Sequence, residues 1–187
     1  MKNRNWQRQS WNSLKSIIFG IGLVGLITFS AFASNPTQPD SRTQQAMIDA
    51  INDEYYARAF YNAVIDQFGS IRPFSNIVQA EDRHVQLWNR LFTQYGLPIP
   101  DDTFAGNIEA PATLQDACQM GVKAEIANVQ MYDRFLEFVQ EPDLRAAFTQ
   151  LRHVSQNNHK PAFERCVNNP GVGGEYHPHQ AGRRARH

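Results

Sequence analysis

Glu81 and His84 are the most chemically suggestive pair in the chain, a carboxylate and an imidazole three positions apart in Ala80-Glu81-Asp82-Arg83-His84. Side chains at i and i+3 are neighbours on a helix, so an oxygen and a nitrogen donor placed this way can grip one metal ion. The same spacing also occurs on solvated helix surface, and its setting therefore decides. Ile77, Glu81, His84, Trp88, Leu91 and Tyr95 follow one another at spacings of 4 and 3, the stripe a helix turns toward a core. The pair points inward.

Four helices must position such a pair. The first is predicted over about 43–68, stopping at Gly69, with the stripe Met47, Ile51, Glu54, Arg58, Tyr61, Ile65 and Phe68. Glu54 and Arg58 sit where apolar residues belong, and an i, i+4 salt bridge between them is the plain reading. Pro73 opens the second helix, where a missing N–H is harmless, and the helix runs to Tyr95 before Gly96-Leu97-Pro98. Residues 96–111 contain Pro98, Pro100, Gly106 and Pro111 and carry no helical pattern. A helix of 25 residues is about 37 Å long and this connection reaches about 50 Å when extended, so it can traverse the whole assembly.

The third helix, about 112–140, carries Leu114, Cys118, Gly121, Glu125, Asn128, Tyr132, Phe135 and Val139 on one side, Glu125 standing alone among small and apolar neighbours. Pro142 marks the break before the fourth, about 143–167, with Leu144, Phe148, Leu151, Ser155, His159, Ala162 and Cys166. Pro161 lies inside that helix. It should kink the helix and free the carbonyl of Asn157, close to His159.

A hydrophobic fraction of 42% with 12 Phe in 187 residues supports one core, and that length suits a single domain. Residues 1–33 read as an export signal: Lys2, Arg4, Arg8 and Lys15 with no acid, an apolar run from Ile17 to Phe29, then Ala31-Phe32-Ala33 before Ser34. An uncleaved membrane anchor is the alternative. Without that segment's four basic residues, 14 of the 18 remain against 18 acidic ones, a net charge of −4, which makes nucleic acid a poor partner. Residues 34–42 read as a polar, proline-rich linker and 168–187 as a disordered Gly, His and Arg tail. Phosphate-binding glycine loops, dinucleotide fingerprints, Cys-x-x-Cys and nucleophile elbows do not occur.

The two halves repeat weakly. Glu54 with Tyr61 and Glu125 with Tyr132 share Glu-x6-Tyr, and His84 and His159 close the second and fourth helices' polar segments. Two helical hairpins, one long crossover between the second and third helices and inward carboxylates match the all-α, ferritin-like four-helix bundle. The chain resembles the ferritin-like superfamily, and more closely an uncharacterised bacterial branch of it, over about 43–167. The strings that carry the likeness are Glu54-x-x-Ala57-Arg58-x-x-Tyr61, Phe74-x-Asn76-Ile77-x-x-Ala80-Glu81-x-x-His84, Tyr95-Gly96-Leu97-Pro98 and Asn158-His159-x-x-Ala162-Phe163.

That resemblance implies Glu54, Glu81, His84, Glu125 and His159 as metal ligands, with Glu81 bridging where two ions bind. Gln156 stands where the pattern wants a second carboxylate, so one-ion and two-ion sites both stay open. Three carboxylates crowded into a core repel one another, which gives a cation a physical role there. If Glu125 and His159 face a common ion on antiparallel helices, Cys118 and Cys166, each seven residues away, lie about 10 Å off in the same direction. A Cys118–Cys166 disulfide follows, with two buried thiols as the alternative.

Glu and His donors suit iron or manganese, and such ions can react with dioxygen or peroxide. Tyr61 and Tyr132 would serve catalysis by hydrogen-bonding a ligand or supplying an electron; core packing with a satisfied hydroxyl is their other role. Ferroxidase, peroxide reduction and oxygenation are all compatible with these residues. The alternatives are a non-catalytic, metal-carrying or partner-binding helical module, and a buried polar network of the stripe acids with Arg58, Asn128 and Ser155 that holds no metal.

Overall fold

A computed structural model describes residues 37–170, whose regular elements are all helices, with no strand among them. The expected export signal and most of the expected C-terminal tail lie outside the described residues. No helix among the described residues is long and apolar enough to cross a membrane.

Helix α1 spans Ser41–Phe68. It begins two residues before the predicted start because Asp40 caps it, its carboxylate accepting from the Thr43 N–H at 2.7 Å. It ends at Gly69, whose φ of 88° an L side chain resists. Helix α2 is Phe74–Gln94 and α3 is Leu114–Leu136. Thr113 caps α3, accepting from the Asp116 N–H while its hydroxyl donates to the Asp116 carboxylate. Helix α3 stops four residues short of the expected Gln140. The Arg145 guanidinium takes up the freed carbonyls of Leu136 and Val139 at 2.8 and 2.7 Å.

The expected fourth helix is three pieces in one continuous run: α4 (Pro142–Val154), a π-helical turn (Ser155–His159) and α5 (Lys160–Asn168). Pro161 supplies the cause. A proline offers no N–H to the carbonyl four residues back and crowds it, and widening the turn moves that carbonyl aside. The flaw falls where Pro161 predicts it, but as a π turn that holds His159.

Helix α1 packs on α2, and α3 packs on α4 and α5, with further contact between α1 and α3 and between α2 and α4. The irregular connection between α2 and α3 runs beside α1: Tyr55 donates to the Pro100 carbonyl, Arg58 to Asp102, and Gln67 to the Pro111 carbonyl.

The buried apolar residues fall into two clusters. One gathers Met47 and Ile51 of α1, Trp88 of α2, Tyr132 and Phe135 of α3, and Phe148 and Leu151 of α4. The other gathers Tyr61 and Val64 of α1, Phe74 and Ile77 of α2, Cys118 of α3, and Phe163 and Cys166 of α5. Within the first, Phe148 lies 5.0 Å from Trp88 and 5.8 Å from Tyr132, ring centre to ring centre, close enough for edge and tilted aromatic packing. On each helical run, the residues between these clusters are polar and buried: Glu54, Glu81, Glu125, and Ser155 with His159. Burying such groups is unfavourable without partners, so this layer must satisfy itself or bind something.

Candidate metal centre

Glu54, Glu81, Glu125 and His159 retain 2, 3, 3 and 5% of their exposure, and His84 is nearly as enclosed, its side chain 12% exposed. All five predicted residues come together here. Glu54, Glu81 and His84 form one group able to hold an ion, and Glu81, Glu125 and His159 form a second, with Glu81 common to both.

Helix α2 offers Glu81 and His84 from one face, as their spacing requires, and His84 Nδ1 lies 2.8 Å from Glu81 Oε2. The same nitrogen is 3.1 Å from Glu54 Oε2 on α1. His159 Nδ1 stands 3.3 Å from Glu81 Oε1 and 3.4 Å from Glu125 Oε1. Each imidazole thus faces two carboxylates, and the two ring centres lie 5.8 Å apart with their planes inclined by 28°.

The tyrosines cross between α1 and α3. Tyr61 of α1 donates to Glu125 Oε1 at 3.0 Å, and Tyr132 of α3 donates to Glu54 Oε1 at 2.7 Å. The Glu-x6-Tyr repeat acquires a geometric meaning: on two antiparallel helices, equal spacing lets each tyrosine reach the other helix's glutamate. Burial and the adjoining carboxylates hold both phenols well above their ordinary pKa of 10, so both stay donors.

Protons occupy this layer. Burial opposes charge on His84, but the carboxylates of Glu54 and Glu81 outweigh it and push its pKa to about 10. His159 is raised to about 9 against the same burial by Glu125 and Glu81. Burial and then repulsion from Glu81 push the Glu54 carboxyl up to about 8. Glu81 goes the other way. Burial works against its charge, yet hydrogen bonds from His159 and His84 prevail and hold it well below the ordinary carboxylate range. The expected mutual repulsion is answered by two imidazolium ions, and a metal would have to displace their protons.

One expectation needs correction. Arg58 does not pair with Glu54 but reaches Asp102 at 2.6 Å and Asp82 at 3.2 Å, leaving Glu54 to His84. Gln156, whose place as a ligand the sequence leaves open, does not stand among these residues. It is exposed and accepts from Arg152 at 2.6 Å, while Ser155, four residues before His159 in the wide π turn, is the buried neighbour. Of the polar groups considered for a metal-free network, Asn128 donates its amide to Asp53.

Asp53 was not anticipated. Burial and the charges of Glu125 and Glu81 raise its carboxyl to about 7. It precedes Glu54 and so lies off the inward stripe; an acid directly beside an inward acid was the available signal.

Cys118 and Cys166 form a disulfide between α3 and α5, with Cα atoms 5.6 Å apart. Gly121, one turn on, lets the Phe163 ring lie where a Cβ would meet it at 2.6 Å. These two contacts bring α5 close to α3 and bring His159 into reach of Glu125. The disulfide is consistent with an oxidising compartment.

Fold and site together define an all-helical protein with a buried Glu and His cluster able to hold a metal ion. No family model and no curated protein matches the chain. Among solved structures it is similar to a hypothetical protein from Methanococcus jannaschii, with 21% identity and a TM-score of 0.64 over 78% of this chain and 91% of that one. It is also similar to a hypothetical protein from Pyrococcus furiosus, with 18% identity and a TM-score of 0.52 over 67% of this chain and 88% of that one. At these identities the likeness concerns the fold.

Proposed function

We propose that this chain is an exported, ferritin-like metalloprotein: a four-helix bundle with one long crossover, holding one or two iron or manganese ions between Glu54, Glu81, His84, Glu125 and His159. The observation that carries this reading is the pair of Glu/His groups sharing Glu81 in the layer between two apolar clusters. The donor set fits: three carboxylates and two imidazoles suit iron or manganese better than a thiolate-seeking metal. The buried Glu125 Oε2, which has no hydrogen-bond partner, offers a cation an acceptor already desolvated. The pairing of α1 with α2 and of α3 with α4 and α5, with the connection lying beside α1, supports the bundle and its crossover.

When bound, iron would supply electrons to dioxygen or peroxide. The protein's own residues would hold and enclose it. Glu81 would join the two positions, and Tyr61 and Tyr132 would orient the carboxylates of Glu125 and Glu54 from behind. The disulfide supports the export that the N-terminal residues suggest.

A metal-free polar network is the reading that the mutual hydrogen bonds favour instead. Metal analysis of protein purified without a polyhistidine tag separates the two: one or two ions per chain, lost in Glu81→Ala and His84→Ala, are expected, and wild-type protein without Glu81-dependent metal would end the proposal. Anaerobic ferrous iron followed by oxygen, monitored in the ultraviolet, tests the redox step. Oxidation no faster than in the two variants would leave a non-catalytic metal carrier.

A further inference from the structure

We propose that the end of the bundle beside the disulfide is a binding site for a small dianion, a phosphate or a dicarboxylate, held between Arg72 and Arg165; this goes beyond the metal centre and does not depend on it. A concavity of about 470 Å³ opens there between the α1–α2 connection, which supplies Arg72 and Pro73, and α5, which supplies Arg165 and Cys166. Asn76, in the first turn of α2, and Asn169, just past α5, lie in the same lining. Two guanidinium groups and two carboxamides thus share one hollow whose lining contains no carboxylate, of a size that takes a small organic molecule.

Arg58 pairs with Asp102 and Asp82, and Arg152 with Asp133, whereas among the described residues neither Arg72 nor Arg165 meets a carboxylate. The sequence explains why. No acid lies within four positions of Arg72, and Glu164, the one acid that near to Arg165, pairs with Lys160 at 2.5 Å. Arg165 sits in the last turn of α5, where one positive charge offsets the carbonyl end of the helix; that does not account for a second charge on the other wall. Two like charges lining one hollow repel each other, and an anion between them turns repulsion into attraction. Both arginines are exposed, so water and salt weaken each pairing and a single negative charge gains little. A dianion engages both, and the planar guanidinium matches carboxylate and phosphate oxygens in pairs. The carboxamides suit the neutral polar groups of the same molecule. The walls are set in advance, since Pro73 is buried and Cys166 is bonded to Cys118, so the backbone that carries the arginines needs little ordering on binding.

Heteronuclear NMR of the full chain, purified without a polyhistidine tag, stripped of metal and held at low ionic strength, tests this, with inorganic phosphate titrated in one arm and succinate in the other. Saturable shifts of the Asn76 and Asn169 side-chain amides are expected, and the arm that saturates at lower concentration names the source of the dianion. Acetate, with one charge, should bind about tenfold more weakly than the better of the two. Arg72→Gln and Arg165→Gln should each weaken binding by about tenfold, while Arg72→Lys and Arg165→Lys, which keep the charge but not the planar fork, should lose less. Both positions are exposed, so thermal melts of these variants should match wild type, and binding that returns with lysine at an unchanged melting temperature upholds the site. Shifts that fail to saturate in both arms, or an affinity unchanged when Arg72→Gln and Arg165→Gln are combined, overturn it and leave two solvated arginines.

Discussion

The two Glu/His groups share Glu81 but are not equivalent. In the first, His84 approaches Glu81 and Glu54 at 2.8 and 3.1 Å, and Tyr132 completes Glu54 at 2.7 Å. In the second, His159 stands 3.3 and 3.4 Å from Glu81 and Glu125, and although Tyr61 reaches Glu125 Oε1 at 3.0 Å, the other Glu125 oxygen has no partner. The first group is nearly satisfied by its own protons; the second is held open. A cation replaces good hydrogen bonds in one case and fills an unmet requirement in the other, so the first equivalent of metal should enter between Glu81, Glu125 and His159. The helices explain the asymmetry. Glu81 and His84 sit on one regular helix, whereas His159 is delivered by a π turn whose register buries Ser155 and turns Gln156 outward.

The largest effect belongs to the residue both groups use. Glu81→Gln should weaken both ions by more than the roughly 10–100-fold that outer partners of a metal site contribute, and calorimetric titration should show both classes collapse together. Glu125→Gln and Glu54→Gln should instead part company, the former removing the tighter class and the latter the weaker. Equal effects would make the groups equivalent and break the comparison.

Protons give the next contrast, between the metal-free and the loaded protein. His84 and His159 are raised from 6.5 to about 10 and about 9, so their stabilising contribution is complete below pH 6.5 and is lost as pH rises through those values. Glu54 and Asp53, raised from 4.5 and 3.8 to about 8 and about 7, lose stability in the same direction over a lower window. Glu81, held low, contributes the opposite slope, confined to the acid side of 4.5. The metal-free melting temperature should therefore fall as pH rises from near neutrality to about 10. The increment added by metal should grow over the same range, because bound protons compete with it. Thermal melts with chelator and with Mn(II) read both slopes; parallel slopes would mean that the metal binds elsewhere.

The disulfide belongs to one side of the comparison. Replacing Cys118 and Cys166 together by alanine should lower stability by about 2–4 kcal/mol and loosen the group containing His159, since only α3 and α5 are tied. Tight-class Mn(II) affinity should drop while the weaker class at Glu54 and His84 holds. Loss of both classes alike would make the bond a general brace.

Much of this was legible because helical spacing transmits position. Glu81 and His84 lie on one stripe, Glu54 and Glu125 break apolar stripes, and the two cysteines sit at matching offsets from Glu125 and His159. What escaped the sequence depended on non-local partners. Arg58 looks like a partner for Glu54 until the irregular connection brings Asp102 to it, and nothing local announces that contact. Pro161 marks where the last helical run is irregular but not that the chain widens into a π turn, which is what moves Gln156 out of the layer. Asp53 lies beside the stripe, and its partner appears only when α3 brings Asn128 against it.

The tyrosines give the finest test. Tyr61→Phe deletes the Glu125 Oε1 donor at 3.0 Å and leaves that carboxylate with only the 3.4 Å contact to His159. Tyr132→Phe deletes a donor to Glu54, which still has His84 at 3.1 Å. A starved buried acceptor loses more than one that keeps a partner, so metal-free Tyr61→Phe should be destabilised by about 1–3 kcal/mol and Tyr132→Phe by about 0.5–1.5 kcal/mol. Chemical denaturation in chelator measures this difference. Added Mn(II) should then restore Tyr61→Phe more fully than Tyr132→Phe, since a cation meets the same need that the lost hydroxyl left. If both variants recover equally, Glu125 is no hungrier than Glu54 and the order of filling argued from its free oxygen fails.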